Sequence, residues 1–220
     1  YYAKNSMDYN INTLFAYSES LDYFTDWYVQ LWGESLGKKQ RHSSINVGLT
    51  PIGLIGPKDQ HSFLQLIVEG LRDKTVTVLK IENFDDKIKI PNITLKELEN
   101  LDLMNGIAFC DLINMQADST MEALLDKKDI PVDTITIKHV DEENIGKLTF
   151  YYELLTSIVG QMMNVNTYDQ PGVEDGKRSL AFALLWQHPS RTLEDAEIKS
   201  GMDHIIEVLQ NTYQATLRAS

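Results

Sequence analysis

The heptapeptide TVTVLKI, from Thr75 to Ile81, decides the fold of this chain. It is rich in β-branched and apolar residues, which predicts a buried strand. A similar run precedes it, NTLFAY from Asn12 to Tyr17, and another comes after it, VDTITIKHV from Val132 to Val140. Helical patterns separate the three runs. Strands that alternate with helices predict an α/β domain with a mainly parallel sheet, and ligands are expected at the carboxyl ends of such strands.

Apolar spacing and capping residues predict the helices. Their predicted ranges are 18–36, 59–69, 95–101, 106–128, 141–164 and 172–187, followed by a helical pair from Thr192 to about Arg218. Thr94 with Glu97, and Ser119 with Glu122, have the spacing of capping boxes. Residues 40–58 are rich in glycine and proline, so we predict a loop there.

Composition excludes several classes of protein. The net charge of −12 over 220 residues disfavours contact with nucleic-acid phosphates. A single cysteine, Cys110, allows no internal disulfide, which fits a reducing compartment such as the cytoplasm. No apolar run is long enough for a membrane span. The length suits one domain over 1–220, in which 186–220 forms a helical tail.

Two residues are candidates for proton transfer. His61 begins a predicted helix, where the partial positive charge of the helix end favours a neutral imidazole. Glu34 lies in the last turn of a predicted helix, whose negative end raises a carboxylate pKa, whereas Lys38 opposes that effect. The alternatives are a structural histidine and a solvated glutamate. No phosphate-binding glycine loop or metal-ligand spacing occurs, so we expect no cofactor and no metal.

The segment YDQPGVEDGK, from Tyr168 to Lys177, is the most informative stretch. A loop followed by a helix N-terminus explains Glu174 and Asp175, because acidic residues complement the helix dipole. It does not explain Gln170 or Lys177. A cation in the first two turns is unfavourable by about 0.3–1 kcal/mol when exposed, so Lys177 is expected to have a partner, either Glu174 or a ligand.

Three segments together resemble the glucose-6-phosphate isomerase family. GQMM at 160–163, the heptapeptide at 168–174 and Lys177 match the C-terminal signature of that family. We refer to residues 160–177 as the C-terminal signature. WGESLGK at 32–38 resembles the family segment that carries the catalytic glutamate, and residues 50–62 resemble the segment that carries its histidine.

The resemblance implies the second of two sugar-isomerase (SIS) domains, a flavodoxin-like three-layer sandwich, here with added C-terminal helices. It implies interconversion of glucose 6-phosphate and fructose 6-phosphate, in which Glu34 moves a proton between C2 and C1 through an enediolate. His61 and Lys177 would assist ring opening, and Gln170 would hold the substrate near its phosphate. Enzymes of this family are homodimers in which the histidine comes from the neighbouring subunit, so His61 would serve the partner's site.

Parts of the family pattern are missing. The chain lacks the Gly-Gly-Arg-Phe-Ser type segment and the Ser/Thr-rich phosphate loop of the first SIS domain. We therefore expect the C-terminal part of a longer enzyme, either an ordinary isomerase or a transaldolase fusion, that is inactive alone. Residues 1–11 and the tail from about Trp186 match nothing in the family. Two alternatives remain: a non-catalytic SIS module that binds sugar phosphates for regulation, and a bifunctional phosphoglucose/phosphomannose isomerase.

Overall fold

The computed structural model describes residues 9–85, 88–170 and 193–213. The chain divides into two compact units, Tyr1–Asp169 and Gln170–Ser220. The second unit contains helix α5, Asp195–Tyr213. The elements of the first unit are, in chain order, β1 Ile11–Ala16, α1 Asp22–Leu36, β2 Lys38–Lys39, β3 Asn46–Val47, β4 Thr50–Ile55, α2 Gln60–Glu69, β5 Lys74–Ile81, α3 Phe109–Leu125, β6 Val132–Ile137 and α4 Glu142–Met163, with short 3₁₀ helices at Glu19–Leu21 and Glu99–Met104.

Four strands form one parallel sheet in the order β4-β1-β5-β6. Ile11 at the start of β1 pairs with Thr50 on one side and with Lys74 on the other. From β1 the chain crosses to β4 on one side of the sheet, and from β5 it crosses to β6 on the other side. The strand order therefore reverses between β1 and β5, which is where α/β sheets of this type open a crevice for ligands.

Helices cover both faces of the sheet. Leu14 and Ala16 of β1 face the layer of α1 and α4, and Phe15 and Tyr17 face the layer of α2 and α3. All four side chains are at most 1% exposed. A strand buried on both faces reads as a continuous apolar run, which is why NTLFAY signals its position in the centre. The predicted three-layer α/β fold is confirmed.

The prediction of a loop over residues 40–58 is wrong in its second half, which forms β4. Among the described residues, β4 is an edge strand, and an edge strand tolerates Pro51 because one side of its backbone has no partner in the sheet. Gly53 is present for a packing reason, since a β-carbon there would lie 2.8 Å from Thr25 Cβ on α1. Close packing against a helix therefore accounts for the glycine that suggested a turn.

Both predicted capping boxes are also wrong. Thr94 Oγ1 donates a hydrogen bond to Asp102 Oδ2 at 2.8 Å, and Glu97 has a positive φ of 70°. Ser119 and Glu122 lie inside α3, which begins ten residues earlier than Ser119. The spacing of a capping box occurs here once in a loop and once inside a helix, and no helix begins at either place.

The boundaries of α4 agree with the predicted ones. Asp141 Oδ1 accepts a hydrogen bond from Asn144 N at 2.7 Å at its start, and Asn164 ends it with left-handed backbone, φ 59°. The predicted helix over 172–187 lies outside the described residues. Among the described residues, no helix is long and apolar enough to cross a membrane.

We expect Gly53→Ala to lower the free energy of unfolding by about 1–3 kcal/mol, because its methyl group would overlap Thr25. Gly146 on α4 is the matched control, since nothing lies within 4 Å of a β-carbon there. Gly146→Ala should raise stability by about 0.5–1 kcal/mol, the usual gain in a helix. Urea unfolding followed by tryptophan fluorescence measures both; equal stability of Gly53→Ala and the wild type would contradict the tight helix–strand contact.

Candidate active site

Glu34 lies in the last turn of α1 with its side chain exposed. Its neighbours are anchored: Trp32 is 5% exposed and donates from Nε1 to Asn12 Oδ1 at 3.1 Å, and Leu36 is fully buried. Gln30 Nε2, one turn earlier, donates to Glu34 Oε1 at 3.2 Å. The backbone position of Glu34 is thus fixed by the core while its carboxylate remains accessible, as a general base requires.

Lys38 joins the exit of α1 to the C-terminal signature. Its Nζ donates to Asn166 O at 2.9 Å, to Asp169 O, and to Asp169 Oδ1 at 3.1 Å. The Lys38 side chain is only 6% exposed, so its charge depends on these acceptors. The Lys38 ammonium in turn holds the pKa of Asp169 below its usual range, mainly through the hydrogen bond.

The two segments run side by side beyond that contact. Arg41 N donates to Asn164 O at 2.7 Å, and Gln40 Nε2 donates to Met163 O at 3.0 Å. Gly160, the first residue of the signature, leaves room for the returning chain, because a β-carbon there would lie 2.1 Å from Thr167 Cγ2. The glycine of the signature therefore has a packing role: it lets the loop fold back toward the segment of Glu34.

His61 is the second residue of α2, at the carboxyl end of β4, and it is exposed. The preceding residue, Gln60, is tied into the core by its Nε2, which donates to Tyr17 OH at 2.8 Å and to Thr120 Oγ1. Asp59 holds the turn, since its Oδ2 accepts from Ile55 N at 2.8 Å. Burial raises the pKa of the Tyr17 hydroxyl, so Tyr17 stays neutral and provides a fixed anchor for the start of α2.

Glu34 and His61 lie near opposite ends of the strands: Glu34 near the amino ends and His61 near the carboxyl ends. α1 leaves the carboxyl end of β1 and runs back, so that Gly33 reaches the beginning of β4; a β-carbon at Gly33 would lie 3.9 Å from Pro51 Cγ. His61 follows the other end of β4. A six-residue strand is about 20 Å long. Within one copy of this unit, the Glu34 and His61 segments are therefore separated by about the length of β4.

The structure thus groups the predicted site residues in a particular way. The Glu34 segment and residues 160–169 of the signature meet at the amino edge of the sheet, and His61 stands apart at the carboxyl edge. Gln170 is the first residue of the second unit and is exposed. Lys177 lies outside the described residues.

Sequence reasoning missed the role of Lys38, which was considered only as a charge opposing Glu34. Its partner, Asp169, is 131 residues away in the sequence, and long-range pairing of that kind leaves no local pattern. The available signal was the presence of both residues in the family-like segments, WGESLGK and YDQPGVE.

A cleft of about 480 Å³ opens at the carboxyl edge, where the strand order reverses. Its polar and aromatic lining includes Ser18, Ser20, Asn83, Phe84, Phe109 and Cys110. The described lining contains no lysine or arginine, and Asp85 adds a negative charge. This chemistry does not favour a phosphate. Within the described ranges, no group of three or more histidine, cysteine or carboxylate side chains could hold a metal ion.

We expect Lys38→Met to raise the titration midpoint of the Asp169 carboxyl group, measured by carboxyl ¹³C NMR. Because the pKa of folded Asp169 is depressed, the contact stabilises the fold above the ordinary aspartate pKa and is lost as pH falls through the lowered value. The variant should therefore lose stability less steeply on acidification. Lys39→Met, at an exposed neighbour, is the control; identical midpoints in Lys38→Met and wild type would exclude the pairing.

Comparison with known proteins yields two different likenesses. The β subunit of phenylalanine–tRNA ligase from Acinetobacter baylyi is 86% identical over 55 residues, which cover 25% of this chain and 7% of that protein. The glucose-6-phosphate isomerase of Campylobacter jejuni is 51% identical over 168 residues, which cover 76% of this chain. This chain spans about 40% of the length of that isomerase.

A solved structure and a family profile also match this chain. A crystal structure of a hypothetical protein from Thermus thermophilus superposes with a TM-score of 0.70 at 32% identity, covering 76% of this chain and 39% of that one. The sequence profile of phosphoglucose isomerase matches residues 1–203. With the Glu34 segment, the His61 segment and the C-terminal signature all present in that range, the chain belongs to the phosphoglucose isomerase family.

Proposed function

We propose that this chain supplies the base and the histidine of an isomerase that interconverts glucose 6-phosphate and fructose 6-phosphate. The observation that carries the proposal is the joining of the Glu34 segment to the C-terminal signature by Lys38. A glutamate with only a structural role would not require its segment to be held against residues 166–169. Relatives named glucose-6-phosphate isomerase support the same reaction.

Glu34 is the proposed base. Its carboxylate removes the proton from C2 of the open-chain aldose and returns it to C1 of the enediolate, so one group serves both transfers. Proton transfer between adjacent carbons needs neither a metal nor an organic cofactor when a positioned base and hydrogen-bond donors are present. The accessible carboxylate on an anchored backbone suits this role, since the substrate must reach it.

His61 is proposed to act in the site of a second copy. The α1 segment of Glu34 reaches the start of β4, and His61 follows the other end of that strand, which is about 20 Å long, so we propose that one chain does not use both residues on one substrate. A homodimer with two-fold symmetry resolves this, because each chain then gives its Glu34 to one site and its His61 to the other. His61 is at a helix start and exposed, as a residue that reaches a partner must be.

Gln170 and Lys177 complete the proposed site by their resemblance to the family signature. Lys177 would share with His61 the handling of the ring oxygen during ring opening, and Gln170 would hold the substrate near its phosphate. The chain covers about 40% of the relatives' length, so we propose that phosphate anchoring comes largely from the remainder of the enzyme. We place the reaction in glycolysis and gluconeogenesis, in the cytoplasm.

Glu34→Gln, made in an enzyme of the relatives' full length, should lower kcat by about 10²–10⁴-fold while KM changes little, because glutamine keeps the shape but cannot accept the proton. The measurement is exchange of the substrate C2 proton with solvent. Glu153→Gln, at an exposed position on α4, is the control and should exchange normally. Near-normal exchange by Glu34→Gln would reject Glu34 as the base, and a protein that binds the sugar phosphate without any turnover in wild-type form would favour the regulatory alternative.

Subunit exchange tests the shared site. Inactive His61→Ala and inactive Glu34→Gln enzymes are mixed in equal amounts, and exchange is verified by mass. About half the dimers are then mixed, and each has one site with both defects and one with neither, so activity should return to about a quarter of the wild-type value. Activity that stays at background after verified exchange would show that His61 acts within its own chain.

A further inference from the structure

The start of α2, which carries His61, is tied to two other elements through one side chain. Gln60, the first residue of α2, donates from Nε2 to two acceptors, as an amide with two N–H groups can. One acceptor is Tyr17 OH, at 2.8 Å, just beyond the end of β1, and the other is Thr120 Oγ1 on α3. Tyr17 is fully buried and Thr120 is 5% exposed, so both acceptors lie in the interior.

Thr120 is oriented by its own helix. Its Oγ1 donates to Gln116 O at 2.9 Å, one turn earlier on α3, which leaves the lone pairs of the hydroxyl free to accept from Gln60. A valine has the same shape but no acceptor, and one N–H of the Gln60 amide would then lose its partner in a partly buried position. The hydroxyl of Thr120 therefore provides something that an apolar residue of equal size could not.

Tyr17 is enclosed and cannot move to compensate for the loss of the other acceptor. Its ring packs against Phe15, with ring centroids 5.3 Å apart, and a β-carbon at Gly56 would lie 2.6 Å from Tyr17 Cε1. The tyrosine is thus held between β1 and the turn that leads from β4 to α2. Two acceptors in fixed positions restrict the Gln60 amide more narrowly than one acceptor could.

The apolar contacts of α2 restrain its first turn less. Ile67 is the buried residue of this helix and lies almost two turns after His61, while Phe63 and Leu64 are partly buried. Apolar burial holds the helix against the sheet but is non-directional, whereas a hydrogen bond depends strongly on angle. The rotation of the first turn, and with it the direction of His61, therefore depends mainly on the Gln60 amide.

We propose that Thr120 is a positioning residue for His61: together with Tyr17 it holds the Gln60 amide, and it thereby sets the direction in which α2 presents the imidazole. This inference rests on the role proposed above for His61 in ring opening. A displacement of about 1 Å in a catalytic group can lower a rate by about 10²-fold, so a contact that acts through Gln60 is sufficient to affect turnover.

The orientation is measured in this chain without any reaction. Residual dipolar couplings of the backbone N–H groups of His61 and Ser62 report the direction of the first turn of α2. Thr120→Val should change these couplings and leave those of β1 and β5 as they are, whereas Thr120→Ser, which keeps the hydroxyl, should give wild-type values. Thr156→Val is the control, because it removes a hydroxyl of similar burial that donates to a carbonyl one turn earlier on α4. Unchanged couplings in Thr120→Val would overturn the proposal.

The effect on ring opening is measured in an enzyme of the relatives' full length. With Glu34→Gln as the background, transfer of the C2 proton is removed, but ring opening and closure still interconvert the two anomers of glucose 6-phosphate. Exchange NMR measures that interconversion. At saturating substrate Thr120→Val should slow it by about 10–100-fold, and Thr120→Ser should stay within about two-fold of the background rate. Thr156→Val should leave the rate unchanged.

His61→Ala in the same background separates this inference from the proposed function. If His61→Ala slows the interconversion of the anomers and Thr120→Val does not, the positioning role is wrong and the proposed role of His61 stands. If His61→Ala leaves the rate unchanged, the proposed role of His61 is wrong, and the positioning role is overturned with it.

Discussion

The ammonium group of Lys38 is the contact on which the candidate site depends. It is nearly buried and takes three acceptors from the loop after α4, 128 to 131 residues later in the chain. A buried ammonium group without acceptors costs several kcal/mol of folding free energy. Separating the Lys38 segment from the loop after α4 would therefore leave the Lys38 charge unpaired at that cost. The position of the Glu34 segment relative to residues 160–169 is therefore set by a polar contact that involves none of the candidate catalytic residues.

The fold could be predicted from the sequence because its central strands are buried on both faces. β1 and β5 are short runs rich in apolar and β-branched residues, which favours buried strands over helices at that length. β4 was missed for the opposite reason. It lies at an edge, where Pro51 is tolerated, and Gly53 is required by the close approach of Thr25. Both residues are therefore explained by the position of β4 in the sheet and its contact with α1, and they do not indicate a loop. Local patterns such as the Thr94–Glu97 box failed where long-range contacts decided the structure.

The sequence proposes residues for the candidate site but does not indicate how they are arranged. Family-like segments pointed to Glu34, His61, Gln170 and Lys177, but nothing local in the sequence indicates that the helices carrying Glu34 and His61 place them near opposite ends of β4. Only the direction of α1 against β4 gives that information.

The central place of β1 has a consequence for synthesis. β1 is synthesised before the other strands of its sheet, and its partners on either side begin 39 and 63 residues later, at Thr50 and Lys74. Until both have emerged, an apolar strand with two unsatisfied edges is exposed to other nascent chains. Non-local parallel pairing of this kind is slow because the loops must close before any contact forms. Silent codon changes that delay translation between β1 and β5 would therefore prolong the period in which this strand can associate with the wrong partner.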